Sequence, residues 1–332
     1  MQIPVPRLAI QRLQSGGVIT NYHCTSACRH CLYRCSPRWP GHYITEETLR
    51  RVLQIVRSLG CGSVHIGGGE PFLNVEGLAM VLRTARGEGV GVDYVETNSS
   101  WYRGPDEACR ILDALQEAGL GTLLVSMSPF HNEHIPFQRV KGVLEACART
   151  GVGVFPWIQA FYAEIDAFDD CTTHDMEAYE ARYGPGYLEG LPSRYWIHPG
   201  GRALETFSRV LKTVPVDEIL ASEVGGCREL LDTSHFHVDL YGRYIPGLCS
   251  GIALDAEDLG EVMQKGDYPL LDLLFREGVQ GLYRMASDRY GYRASGTFLN
   301  KCHLCFDIRR LLARKTEARY KELHPAPFYE QA

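Results

Sequence analysis

The residues best equipped for chemistry are the cysteines, twelve in a chain of 332 residues. Cys24, Cys28, Cys31 and Cys35 crowd into twelve positions, Cys302 and Cys305 form a CxxC pair, and the rest are scattered. That density is too low for a disulfide scaffold and high for a reducing cytosol, so metal ligation is the expected use. Three thiolates spaced Cys24-x3-Cys28-x2-Cys31 can ligate three irons of a cubane iron–sulfur cluster and leave the fourth iron open. With Cys35 as a fourth ligand the same run could instead hold structural zinc. A second pattern, Ile66-Gly67-Gly68-Gly69-Glu70-Pro71, places an acid after glycines that let backbone approach a ligand closely, although alone it reads equally well as a turn.

The elements that must position these residues alternate in the manner of βα units. Strands are expected near Val18 to Tyr22, Ser63 to Gly67, Val92 to Thr97, Thr122 to Ser126, Val152 to Ile158 and Tyr195 to His198, with amphipathic helical patterns between them. The first helix shows Leu49, Val52, Leu53, Val56 and Leu59 at helical spacing after Thr45 as N-cap, and the third runs from Pro105 to Gly119. Six such units fit the first ~200 residues, against ~250 for a complete eight-unit barrel, which predicts an α/β fold with a partial, six-unit (β/α)6 barrel of the TIM type. Both motifs then fall directly after strands, the cysteines after the first and the glycines after the second. Past residue 205 the alternation fades, and His235 to Cys249 reads as a β-hairpin turning at Tyr241-Gly242-Arg243. The expected organisation is an N-terminal extension over 1–17, the barrel over 18–205 and a small α+β module over 206–332.

Composition narrows the partners. Lys plus Arg number 34 against 40 Asp plus Glu, a net charge of −6, with no basic block of the kind that nucleic acid or an anionic membrane selects. No run reaches 18 apolar residues and the first residues lack a signal-peptide core, so the expectation is a soluble, cytoplasmic protein with neither nucleic-acid nor membrane partner.

Together, the CxxxCxxC after strand one and the GGE after strand two resemble the radical S-adenosylmethionine (radical SAM) superfamily. The resemblance implies a [4Fe-4S] cluster on Cys24, Cys28 and Cys31, with the amino and carboxylate groups of SAM on the open iron and with Gly68, Gly69 and Glu70 contacting the SAM amino group. It places His30 near adenine, although the family usually has an aromatic or apolar residue there. Thr97-Asn98-Ser99 resembles the family's Thr-Asn-Gly at the third strand's end. Ser126-Met127-Ser128, followed by Phe130 and His131, resembles the fourth-strand segment that contacts SAM, and His198 to Ala203 resembles the sixth-strand GRA segment. Cofactor contacts are therefore expected at His30, Asn98, Ser126 and Ser128.

Cys227, Cys249, Cys302 and Cys305, placed around the hairpin and in the last region, resemble the twitch module, the shortened relative of the SPASM extension, which binds one auxiliary [4Fe-4S] cluster. An all-cysteine zinc site would use the same four thiolates. Cys61, Cys109 and Cys147 read as core packing. Cys35 and Cys171 follow strands and are expected at the barrel's C-terminal face, where Cys171, Cys35, Glu164 and His131 are the candidates for hydrogen donation or proton transfer. His235 and His237 read as residues alternating on one strand face.

The family resemblance implies reductive cleavage of SAM to a 5′-deoxyadenosyl radical that takes hydrogen from the substrate, with a flavodoxin or ferredoxin as reductant. A fully ligated auxiliary cluster suits oxidation of a small hydroxylated or amino substrate, as in twitch-bearing aminocyclitol dehydrogenases. The alternatives are an epimerase with a cysteine hydrogen donor, a peptide maturase, which 23 residues before Cys24 make less expected for want of a recognition domain, and a non-enzymatic iron–sulfur electron carrier.

Overall fold

The computed structural model describes residues 7–264, 266–315 and 319–330. Five parallel strands follow in order, β1 (Gly16–Ile19), β2 (Ser63–Gly67), β3 (Gly91–Thr97), β4 (Thr122–Ser126) and β5 (Gly153–Trp157). Between them lie helices α1 (Glu46–Ser58), α2 (Val75–Gly87) and α3 (Pro105–Ala118), then a short α4 (Pro129–Asn132) and α5 (Phe137–Thr150). Each of the longer helices buries one apolar stripe on the sheet. In α1 this stripe is Leu49, Val52, Leu53 and Val56, and the Thr45 side chain caps the helix by accepting from the Thr48 amide, as the sequence predicts.

After β5 the expected pattern breaks. Tyr195 to His198 is not a strand, and the sixth parallel strand comes from the C-terminal region. Beyond β6 (Val214–Pro215), β7 (Phe236–Asp239) pairs in parallel with β1 on the side away from β2. β8 (Arg243–Ile245) and β9 (Leu254–Asp255) continue antiparallel, giving the sheet order β5-β4-β3-β2-β1-β7-β8-β9. A separate pair joins β6 to β10 (Thr297–Phe298). The barrel is thus partial and α/β, but its sixth parallel position is filled next to β1 instead of next to β5.

Asp239, fully buried at the end of β7, explains how that join is held. Its Oδ2 accepts from Tyr22 Oη at 2.9 Å and lies 3.1 Å from His324 Nε2, while its Oδ1 accepts from the amides of Tyr241 and Arg243. One carboxylate therefore ties the chain after β1, the hairpin turn and the C-terminal segment together. The hairpin itself forms where expected, with Gly242 at φ +74° in its turn. Helices Pro269–Tyr290 and Lys301–Arg314 pack against each other. Among the described residues, no helix is long and apolar enough to cross a membrane.

Candidate functional site

Two cavities open where the cysteines lie. The larger, about 380 Å³, sits at the C-terminal ends of the parallel strands. Cys24, Cys28, Cys31 and Cys35 all line it, together with Gly68, Gly69, Glu96, Asn98, Ser126 and His131. The cysteine loop is clasped from the far side by the GRA segment. Arg202 donates from Nε to the Cys28 carbonyl at 2.9 Å, from Nη2 to the Cys35 carbonyl and from its amide to the Cys31 carbonyl. Gly201, at φ +56°, is required for this contact, because a Cβ there would stand 2.2 Å from the Leu32 carbonyl oxygen.

Asn98 reaches the same loop from β3. Its Nδ2 donates to Cys24 Sγ at 3.4 Å, to Thr25 Oγ1 and to Ser26 Oγ. The Cys31 and Cys35 side chains hydrogen-bond each other, which lowers Cys31 and raises Cys35. Burial pushes Cys24 up to about 12.

The glycine–acid motif serves the site from behind. Gly69 is pressed on the β1 loop, donating its amide to the Asn21 carbonyl at 2.6 Å, and a Cβ there would lie 1.9 Å from the His23 carbonyl oxygen. Any side chain at position 69 would therefore displace the start of the cysteine loop. The Glu70 carboxylate is fully buried and turned away from the cavity, accepting from the Phe72 and Asn98 amides and from Thr97 Oγ1 at 2.9 Å. Burial raises it to about 7 against the pull of those three donors. Its carboxylate ties the end of β2 to the end of β3, so the acid that opens onto the cavity is Glu96, also raised to about 7 by burial.

His30 stacks between Phe130 and Trp157, with ring centroids 4.8 and 5.2 Å away, and its Nδ1 is buried without a hydrogen-bond partner. His131 lines the cavity, with Nδ1 2.8 Å from Ser128 Oγ, and burial lowers it to about 3. Ser128 is itself fully buried behind His131 and does not line the cavity, whereas Ser126 does.

Two expected site residues lie elsewhere. Cys171 is exposed on a surface loop, drawn outward because Lys141 of α5 pairs with both Asp166 and Asp170. Glu164 is neutralised by Arg194 and accepts from Tyr187 Oη, so it faces the helix Tyr187–Arg194 and not the cavity. The stretch after β5 winds into a 3-10 helix, Gln159–Phe161, and a short α-helix, Tyr162–Ile165, and neither Glu164 nor Cys171 reaches the mouth. Sequence reasoning also missed that Trp196, Ile197 and His198, read as a strand, cross the mouth and line the cavity.

The smaller cavity, about 80 Å³, brings together Cys227, Cys249, Cys302 and Cys305. Asn300 caps the helix Lys301–Arg314 through the His303 amide and so orients the CxxC turn. Burial raises Cys249 to about 12 and Cys302 to about 11. Arg309 also lines this cavity, 6% exposed, with Nη1 held by the Ser250 carbonyl and Tyr329 Oη and its Nε without a partner. Four thiols around a buried cation fit an anionic metal–thiolate group. His198 and Leu248 line both cavities and form a shared wall.

Residues 18–167 match the family model described as the Radical SAM superfamily. No curated protein matches the chain. Among solved structures, native anSMEcpe with bound AdoMet is similar at 14% identity and a TM-score of 0.47, covering 90% of this chain and 96% of that one. The same protein with AdoMet and the Cp18Cys peptide aligns at 16% identity and a TM-score of 0.33, where the match spans 42% of that chain and 44% of this one. SuiB of Streptococcus suis bound to precursor peptide SuiA aligns at 13% identity and a TM-score of 0.35, covering 94% of this chain and 75% of that one.

Proposed function

We propose that the protein is a radical SAM oxidoreductase that holds a [4Fe-4S] cluster on Cys24, Cys28 and Cys31, binds SAM beside it, and oxidises a small hydroxylated or amino substrate with the help of an auxiliary cluster. The observation that carries the reading is the convergence of the three cysteines, both glycines and Asn98 on one cavity, all within the span that matches the radical SAM family model. Zinc fits either cysteine set less well. A zinc ion bonds thiolates at about 2.3 Å, which keeps any two sulfurs within about 4.6 Å. The described groups whose ligand atoms lie within 4.8 Å of one another are His65–His235–His237 and Asp169–Asp170–Cys171, and neither cysteine set is among them.

When bound, the cluster and SAM supply one-electron chemistry that removes hydrogen from an unactivated carbon. The chain's own residues do the rest. Asn98 fixes the Cys24 turn, and His30, its two faces covered by Phe130 and Trp157, would meet an adenine by its ring edge. Glu96, whose carboxyl sits near 7, can take the proton that an oxidised hydroxyl or amine must lose. Trp196 and Ile197 shield the mouth from water. Cys227, Cys249, Cys302 and Cys305 would hold the auxiliary cluster, with Arg309 compensating its charge. A volume of about 380 Å³ suits a small molecule better than a folded partner. The proposed compartment is the cytoplasm, where free thiols persist and a flavodoxin or ferredoxin can supply the electron.

Anaerobic incubation with dithionite and SAM tests the core of this. We expect 5′-deoxyadenosine and methionine from the parent and none from the combined Cys24→Ala, Cys28→Ala and Cys31→Ala protein. A parent with full iron content that yields no 5′-deoxyadenosine would leave the electron-carrier reading in its place.

A further inference from the structure

Three histidines far apart in sequence meet inside the barrel. His65 is in β2, His237 in β7 and His235 immediately before β7, and one ligand nitrogen from each lies within 4.8 Å of the others. The two strands flank β1, whose Gly17 sits between them in register with both His65 and His237. A Cβ at Gly17 would stand 2.2 Å from His65 Nε2, so the glycine makes the room in which the rings converge.

The nitrogens are aimed at one another. His65 Nε2 and His237 Nε2 are 3.0 Å apart, close to the ~3.3 Å that two ligands 2.0–2.1 Å from a tetrahedral ion adopt. His237 Nδ1 is 2.8 Å from Tyr33 Oη. With Nδ1 as the donor in that contact, the Nε2 lone pair is left free for a metal, which is the outer-sphere arrangement of ligating histidines. The His65 ring is stacked between Tyr94 and His235, with centroids 5.1 and 5.0 Å away, which locks its orientation. Burial holds all three imidazoles in the neutral form that a metal requires. Glu96 Oε1 lies 3.9 Å from His65 Nε2, and His235, His237 and Glu96 all line the large cavity.

We propose that His65, His235 and His237 form a mononuclear site for a divalent first-row transition ion such as zinc, open to the large cavity on the side of Glu96. The ion displaces the proton shared between the two facing nitrogens, and half-exposed His235 turns to complete the set. The fourth position goes to the Glu96 carboxylate or to an oxygen of whatever occupies the cavity. This is an imidazole site for a borderline cation, distinct from both thiolate sets in donor chemistry, and it stands whether or not the barrel performs radical chemistry.

The test is equilibrium dialysis of the anaerobically reconstituted holoprotein against zinc sulfate, with metal counted by mass spectrometry and zinc ligation read by X-ray absorption. The expected result is about one zinc per chain in addition to the iron, with nitrogen and oxygen scatterers at about 2.0–2.1 Å. Zinc surrounded by sulfur at about 2.3 Å, or no zinc retained, overturns the assignment. His235→Gln and His237→Gln, checked for unchanged iron content, should each weaken zinc more than the ~10–100-fold that loss of an outer-sphere partner costs. Unchanged affinity in both overturns it as well. If either variant fails to fold, the absorption spectrum of the parent decides alone.

Discussion

Glu70 shows how a motif residue can brace a cavity without lining it. Three donors converge on its carboxylate, yet burial still lifts it from 4.5 to about 7. A carboxyl with a higher value in the folded than in the unfolded chain binds its proton more tightly when folded. Its contribution to stability is therefore fully present below about 4.5 and is lost as pH rises towards about 7. Glu70→Gln removes the titration while keeping an acceptor for Thr97. In metal-free protein, denaturant unfolding at pH 5.5 and at pH 8 should show the parent losing about 2 kcal/mol more than Glu70→Gln over that interval. An identical pH response in both would mean that Glu70 is ionised throughout. At this scale the sequence was informative about identity and less so about direction. Cys24, Cys28, Cys31, Cys35, Gly68 and Gly69 line one cavity and the four C-terminal cysteines line the other, but Glu70, Cys171, Glu164 and Ser128 line neither. The histidine cluster escaped notice because its members are separated by about 170 positions and meet only through the pairing of β2 and β7 with β1.

At the scale of elements, α1 and α3 begin where their caps and prolines predict, and β1 to β5 fall within a few residues of the apolar runs. The sixth strand was misplaced for a physical reason. Tyr195 to His198 has the composition of a strand, but Pro192 precedes it, Pro199 and two glycines follow, and the Arg202 clasp on the cysteine loop pulls it across the mouth. β7 takes the sixth position instead, and nothing in a single sequence says that a hairpin 217 residues on will pair with the first strand's neighbourhood through Tyr22 and Asp239. Asp239→Ala leaves a buried Tyr22 hydroxyl and the Tyr241 and Arg243 amides without their acceptor. A loss of about 2–4 kcal/mol is expected. Hydrogen exchange should show β1, β7 and β8 losing protection together. If only the hairpin turn opened, the join between the barrel and the C-terminal region would rest on the sheet hydrogen bonds alone.

At the scale of the molecule, the two cysteine cavities are built by different parts of the chain yet share His198 and Leu248 as a wall. If the C-terminal cysteines hold the proposed auxiliary cluster, that adjacency gives it a direct way to receive an electron from an occupant of the large cavity, and it separates two kinds of variant. Losing Cys24, Cys28 and Cys31 removes the site where SAM would bind. Losing Cys249 and Cys302 should leave that site intact, so the doubly substituted protein is expected to keep about four irons of about eight and to form 5′-deoxyadenosine as the parent does. Turnover of a substrate to a product two electrons more oxidised should then fail, because the substrate radical has no acceptor, and hydrogen should return to the carbon from solvent or reductant. Iron analysis, 5′-deoxyadenosine yield and product mass measured on the same preparation in deuterium oxide separate the possibilities. Unimpaired oxidation in the double variant would reduce the C-terminal cysteines to a structural role. Deuterium incorporation in the parent, abolished by Cys35→Ala, would instead favour epimerisation, and Cys35 is the candidate for that role because Cys171 lies outside the cavity.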